Sequence, residues 1–287
     1  LFRNPLVKVE NFVGFVKRKT HVVTWMLIAC ALPASAAFDT EPGNTRSLAL
    51  GGCLCADPDP LTGVVGNPAA LSNVTRLAAE IGYTRLFNLP ELAITTSSAV
   101  YPAAGGGLGV KANSFGNDLY RELQAEVAFG KPLSTLAAVG ATVGYYWLTI
   151  DNYGSDGDVS LSIGIQASPI SNLIWGLWGR NLIEGSIGQS NHPFPQETVT
   201  GLSYDIGGKI LAQLDIAKQP RFPETYKLGI EVMLNPYIAA RAGMQHQPNR
   251  AGGGFGIRWK TWRIDYGTYS HWELGWTHSV SLSWGMQ

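Results

Sequence analysis

Residues 209–218 read KILAQLDIAK, with Ile210, Ala212, Leu214 and Ile216 on one phase and Lys209, Gln213 and Asp215 on the other together with Leu211. Side chains alternate between the two faces of a β-strand, so a period of two with one apolar face predicts a strand with unlike surroundings on its two sides. The same phrase recurs outward from here. Tyr226, Leu228, Ile230, Val232 and Leu234 oppose Lys227, Gly229, Glu231 and Met233, while Leu123, Ala125, Val127 and Phe129 oppose Gln124, Glu126 and Ala128. Toward the end, Trp262, Ile264 and Tyr266 oppose Arg263, Asp265 and Gly267, and Val280, Leu282 and Trp284 oppose Ser279, Ser281 and Ser283.

About fourteen such segments follow Thr75, beginning near Arg76, Glu91, Gly106, Leu119, Leu136, Asp158, Asn172, Glu197, Gly208, Glu224, Pro236, Ala251, Lys260 and Glu273. Breaks such as Phe87-Asn88-Leu89-Pro90, Asp151-Asn152-Tyr153-Gly154 and Gln247-Pro248-Asn249-Arg250 carry turn chemistry. A soluble β-sandwich also alternates, but it shows polar residues to water on both sheets and rarely needs so many strands. Here the apolar face is continuous and carries aromatics near strand ends: Tyr83, Trp147, Trp175, Tyr226, Trp259, Trp262 and Trp284. The expectation is therefore an all-β, transmembrane antiparallel β-barrel of about fourteen strands, the only sheet that satisfies every backbone group in hydrocarbon.

Composition agrees. The 287 residues include 34 glycines, and 45% are hydrophobic against 15% charged. The 21 basic residues equal the 21 acidic ones, so the electrostatic footprint of a nucleic-acid binder is absent.

The first residues predict export rather than fold. Lys17, Arg18 and Lys19 precede the apolar run His21 to Leu32, and Ala34-Ser35-Ala36 has the small-x-small form of a signal-peptidase site, predicting cleavage between Ala36 and Ala37. Leu27-Ile28-Ala29-Cys30 offers a lipoprotein cleavage box as the rival reading. The start at Leu1 and the inward position of the basic cluster fit an over-extended or fragmentary N-terminus. Three regions result: a signal peptide over 1–36, a periplasmic or hatch segment over 37–74, and the barrel over 75–287. Export with a barrel implies the outer membrane of a double-membraned bacterium. Cys53 and Cys55 remain after cleavage, as small packed residues or as one strained bridge; no second pair or His partner suggests zinc.

At the head of the barrel, Thr45-Arg46-Ser47-Leu48-Ala49-Leu50-Gly51-Gly52 leads to Gly66-Asn67-Pro68-Ala69-Ala70-Leu71. At its tail come Glu224 to Glu231, Ala240-Arg241-Ala242-Gly243-Met244, Gly253 to Ile257, Ile264-Asp265-Tyr266 and Leu274 to Leu282. The two ends together resemble the PorV/PorQ-type outer-membrane barrels of the FadL-like superfamily. The resemblance implies a short N-terminal hatch joined to the barrel at Asn67, Pro68 and Ala69. It also implies a non-enzymatic barrel that docks exported proteins or a type IX-like secretion complex. The alternative is FadL-like passive transport of hydrophobic small molecules. Family members commonly end on an aromatic, whereas Trp284 is followed by Gly285-Met286-Gln287.

Ionisable residues on the inward phase are the candidates for lining the lumen: Glu80, Glu126, Arg180, Lys209, Asp215, Glu231, Arg241, Arg258, Arg263 and Asp265. Two near-identical runs, AGGGLGVK and AGGGFGIR, place Gly105, Gly107, Gly109, Gly252, Gly254 and Gly256 on the same side, leaving room for a hatch or ligand. Strand residues follow these glycines, not the helix a phosphate loop requires. His278 lies on the apolar phase and Ser279 and Ser281 on the other, so no nucleophile and base meet along that strand; His271 and His192 fall in expected loops. No catalytic residue, cofactor or metal is expected. The expected partners are outer-membrane lipid, secretion-system or exported proteins, or hydrophobic small molecules.

Overall fold

The computed structural model describes residues 37–38, 43–183, 185–187 and 192–285. The export signal, the lipoprotein box and Met286-Gln287 lie outside them. Fourteen antiparallel strands close into a barrel, each hydrogen-bonded to its sequence neighbours and the first to the last. In chain order they are β1 Ala78–Arg85, β2 Ala93–Ala103, β3 Gly106–Gly116, β4 Tyr120–Pro132, β5 Ala137–Ile150, β6 Gly154–Ile170 and β7 Leu173–Arg180. Then come β8 Glu197–Ile206, β9 Ile210–Lys218, β10 Thr225–Asn235, β11 Ile238–His246, β12 Arg250–Trp259, β13 Trp262–His271 and β14 Gly275–Trp284.

The fourteen strands expected from alternation are these. The largest displacement of a start is at β6, which begins at Gly154 because the polar run Gly154–Asp158 still pairs with Tyr146–Ile150 of β5. His271, expected in a loop, is the last residue of β13 and accepts from the amides of Glu273 and Leu274 in the turn that follows.

Periodicity sets the packing. Ile81, Val127, Val143, Ile163, Leu228, Ile264 and Val280 all point outward and are about half exposed. So much contiguous apolar surface suits hydrocarbon, not water. Tyr101, Trp175, Tyr204, Trp262 and Trp284 ring one end of this band, and Tyr83, Tyr145, Trp147, Tyr226 and Trp276 ring the other; all are exposed. The first end carries only short turns, such as Ala104–Gly105 and Lys260–Thr261, whereas the second carries the 181–196 connection, part of it a two-residue ladder of Ser186–Ile187 with His192–Pro193. Short turns mark the periplasmic end of such barrels and longer loops the outer end.

Inside lies residues 43–74. This inner segment folds as a short helix α1, Thr45–Ala49, a second helix α2, Pro60–Val65, and a 3₁₀ turn, Pro68–Asn73. Each start is capped: Asn44 accepts from Ser47, Asp59 from Leu61 and Asn67 from Ala69, with Pro60 and Pro68 at the first helical positions. α1 packs on β11–β14 and the 3₁₀ turn on β3–β6, so the segment crosses the barrel from wall to wall.

Candidate functional site

The wall admits the inner segment because its inward positions are repeatedly glycine. A Cβ on Gly130 would meet the Pro68 carbonyl oxygen at 2.2 Å, on Gly176 the Cys55 oxygen at 2.3 Å, and on Gly243 the Gly51 nitrogen at 2.1 Å. A Cβ on Gly140, Gly164, Gly229, Gly254 or Gly267 would also come within 2.9 Å of the segment, so the belt runs round most of the barrel. Of the six glycines singled out from the two runs, Gly107 and Gly109 face Leu71, Val74 and Val64, Gly254 faces Ala49, and Gly256 faces Asp265 and Arg241. Gly252 lies against Tyr269. Gly105 is a correction: it occupies the β2–β3 turn at φ +72°, where a Cβ would meet nothing, because the tight turn needs a left-handed residue.

On one side of the barrel the segment is held by ions. Arg46 of α1 pairs with Asp57 and, through two nitrogens each 3.0 Å away, with Glu231 of β10. Glu231 also accepts from Arg241 of β11 at 2.5 Å, and Arg241 reaches Asp265 of β13 at 2.6 Å. Arg263 of β13 contacts Asp265 at 2.7 Å, Asp59 of the segment at 2.9 Å and Glu80 of β1 at 3.5 Å. Gln213 donates to Asp57 and Ser283 to Glu80. Arg263 and Asp265 are wholly buried.

Charges buried this deeply persist only when paired and hydrogen-bonded. Burial alone would drive the Arg46 guanidinium toward its neutral form, yet Asp57 and Glu231 outweigh it and hold the charge. Burial would likewise raise the Asp59 carboxyl, but Arg263 and then Arg46 bring it below the ordinary carboxylate range.

Hydrogen bonds to β6, β9 and β14 complete the anchorage. Asp215 of β9 accepts from the amides of Leu54 at 2.8 Å and Cys55 at 3.0 Å. Asn67 donates to the carbonyls of Cys55 at 2.8 Å and Ile165 at 3.0 Å, and Gln166 donates to those of Cys55 and Asp57. Thr45 and Ser279 share a hydrogen bond of 2.7 Å, which Thr84 extends. Cys53 and Cys55 are free and buried, not bridged; burial and then the Asp215 carboxylate push both thiols well above their ordinary range.

The remaining lumen candidates separate into two groups. Glu126 pairs with Lys111 at 3.0 Å and accepts from Tyr146 at 2.8 Å, and Arg180 lines the small void beside them. Above them Phe38, Tyr146, Ile187 and Phe194 form an apolar cluster at the outer end. Lys209, by contrast, is exposed in the β8–β9 turn, where it lines the cavity at the periplasmic mouth without joining the buried network. Arg258 is half-buried at the periplasmic mouth.

Two cavities flank α1 on opposite sides. A pocket of ≈ 70 Å³ at the outer end is lined by Leu48, Gly51, Gly52 and Leu54 together with Lys227, Gln245, Arg250 and Tyr269. A larger one of ≈ 420 Å³ opens at the periplasmic end between Pro58, Asp59, Pro60, Ile210, Leu211, Met233 and Arg258. α1 and the Arg46 network separate them. Among the described residues no group of His, Cys, Asp and Glu could hold a metal ion.

Arg46, Asp57 and Asp59, which complete the network, escape sequence reading because their segment has no period that assigns them a face. One signal was available: an inward-phase glycine in almost every strand marks a backbone passing close by.

A closed fourteen-stranded antiparallel barrel with an N-terminal segment across its lumen has the fold of the FadL-like outer-membrane barrels. Among solved structures the chain is similar to the CymD monoaromatic hydrocarbon channel at 12% identity, with a TM-score of 0.64 over 88% of this chain and 99% of that one. It is similar also to the toluene transporter TodX of Pseudomonas putida, at 11% identity and a TM-score of 0.61 over 86% and 97% of the two chains. A FadL homologue of Pseudomonas aeruginosa matches at 11% identity and a TM-score of 0.60, over 88% and 100%. No protein-family model matches the chain. No curated protein matches it either.

Proposed function

We propose that the protein is an outer-membrane passage for hydrophobic small molecules, with residues 43–74 as its gate. The observation that carries this reading is the position of the inner segment: it stands between an outer and a periplasmic cavity in a barrel whose wall is paired all the way round. The neighbours in fold, described as a hydrocarbon channel and a toluene transporter, support the choice of cargo. Docking of exported proteins or a secretion complex, which the PorV/PorQ resemblance implies, has no counterpart among those neighbours. An enzymatic reading has none either.

Passage requires α1 to shift, because Leu48, Leu54 and Arg46 fill the space between the cavities. Leu48, Leu54 and Tyr269 offer the cargo an apolar surface in the outer pocket, and the ion network restores the closed position after release. Uptake of radiolabelled toluene and of a labelled long-chain fatty acid by cells that lack their own FadL-type channel tests the proposal. Faster uptake than in cells carrying an empty vector supports it, and equal rates for both compounds count against it. The export signal belongs to the same proposal. Mass spectrometry of the mature N-terminus should find Ala37 first; lipidated Cys30 would replace that reading.

A further inference from the structure

We infer that the outward face of β1 and β14 carries a binding site for the phosphate of an outer-leaflet lipid, built from Arg85, His278 and Tyr266. The inference rests on the membrane-spanning reading of the barrel but not on the identity of its cargo. Arg85 is the last residue of β1 and shares the outward phase of Ile81 and Tyr83. Its direct cross-strand partner is His278 of β14, which shares the outward phase of Trp276, Val280 and Leu282. Both stand at the level of the outer aromatic ring, where headgroups meet the hydrocarbon.

Three observations make this pair unusual. First, the Arg85 guanidinium lies directly opposite an imidazole with no carboxylate between them, so its charge has no counter-ion on the strand pair. Second, two other cations on the outward phase at this rim are paired within the chain, Arg121 with Asp118 and Lys218 with Glu224, each at 2.9 Å, whereas the Arg85 guanidinium has no hydrogen-bond or ion-pair partner among the described residues. Third, His278 is fixed rather than free. Its Nδ1 shares a hydrogen bond of 2.8 Å with the Tyr266 hydroxyl, and the two rings stack at 6.2 Å, which leaves Nε2 for an external partner.

A guanidinium that can bind two oxygens in a fork, beside an imidazole on a rigid strand pair, matches the oxygens of a phosphate monoester. The acyl chains of such a lipid would lie along Ile81, Val280 and Leu282 below. Ionisable residues on a lipid-facing wall mark functional positions by default, and a phosphate at the interface is the partner these residues fit.

The test is native mass spectrometry of the purified full-length barrel in detergent, titrated with phosphatidic acid or with phosphatidylcholine. Wild type should retain one phosphatidic acid in preference to phosphatidylcholine, and Arg85→Gln should weaken that binding about tenfold. Arg85→Lys should keep part of it, and His278→Gln combined with Arg85→Gln should lose less than the two single effects added together, as expected when both side chains touch one phosphate. Arg121→Gln, at the same rim, should leave it unchanged. Equal retention by wild type and Arg85→Gln overturns the site. So does an equal loss in Arg121→Gln, which would reflect general charge attraction, or displacement by inorganic phosphate at the lipid's own concentration, which would make it a site for the free ion.

Discussion

Arg46 shows how one side chain can set the position of a whole segment. Replacing it with Ala leaves Asp57 and Glu231 buried beside a vacancy, and breaking one partner out of a buried ion group costs about 3–5 kcal/mol. That cost falls on docking of the inner segment, not on the strand ladder. Hydrogen exchange should therefore speed up across residues 43–74 of Arg46→Ala while the strands stay protected. Uniform protection would mean that the network does not hold the segment. Asp59 gives the pH dependence. Its carboxyl sits below its unfolded value because Arg263 and Arg46 outweigh burial, so its contribution is full above an unfolded pKa of about 3.9 and is lost as pH falls through the lower folded value. The difference in segment protection between wild type and Asp59→Asn, about 1.5–3 kcal/mol at neutral pH, should thus be flat from pH 7 to about 5 and shrink only below about 4. A difference that disappears near pH 6 would assign the effect to another group. The two thiols, held neutral by burial and by Asp215, should resist maleimide in the intact barrel at pH 8 and react once it is denatured; a mass shift read before and after unfolding checks this.

At the scale of elements, alternation was legible almost strand by strand, since a single residue of slip would turn Ile230 inward and Glu231 into lipid. Inward-phase residues such as Glu231, Arg241 and Asp265 were legible as a group, but not who pairs with whom, because contacts between strands and the inner segment depend on barrel closure. The belt of glycines makes the dependence physical. Gly176→Ala would drive a methyl group into the Cys55 carbonyl, and backbone on both sides leaves little room to yield, so overpacking of about 1–3 kcal/mol is expected. The strands can still pair with Ala present. Limited proteolysis should therefore cut Gly176→Ala within residues 43–74 while the barrel keeps its folded gel mobility. Resistance equal to wild type would place the segment further from the wall. Gly105→Ala, in a turn with open space around it, carries only the strain of its positive φ.

For the whole molecule the decisive features are a wall with no unpaired strand and a lumen crossed by the chain's own N-terminal segment. Passage and closure then become one question: whether that segment moves. Thr45 of α1 and Ser279 of β14 have hydroxyl oxygens 2.7 Å apart. Their replacement by a cysteine pair, Thr45→Cys with Ser279→Cys, places two sulfurs within reach of a bond. With Cys53 and Cys55 changed to Ala, this pair forms a reversible latch between segment and wall. The measurement is uptake of labelled toluene and fatty acid by cells carrying the latch variant, compared in oxidised and reduced states. The account predicts uptake at the wild-type rate when the latch is reduced and a fall to the empty-vector rate when it is oxidised. Uptake that is equally fast in both states would contradict it, because cargo would then cross with the inner segment held in place.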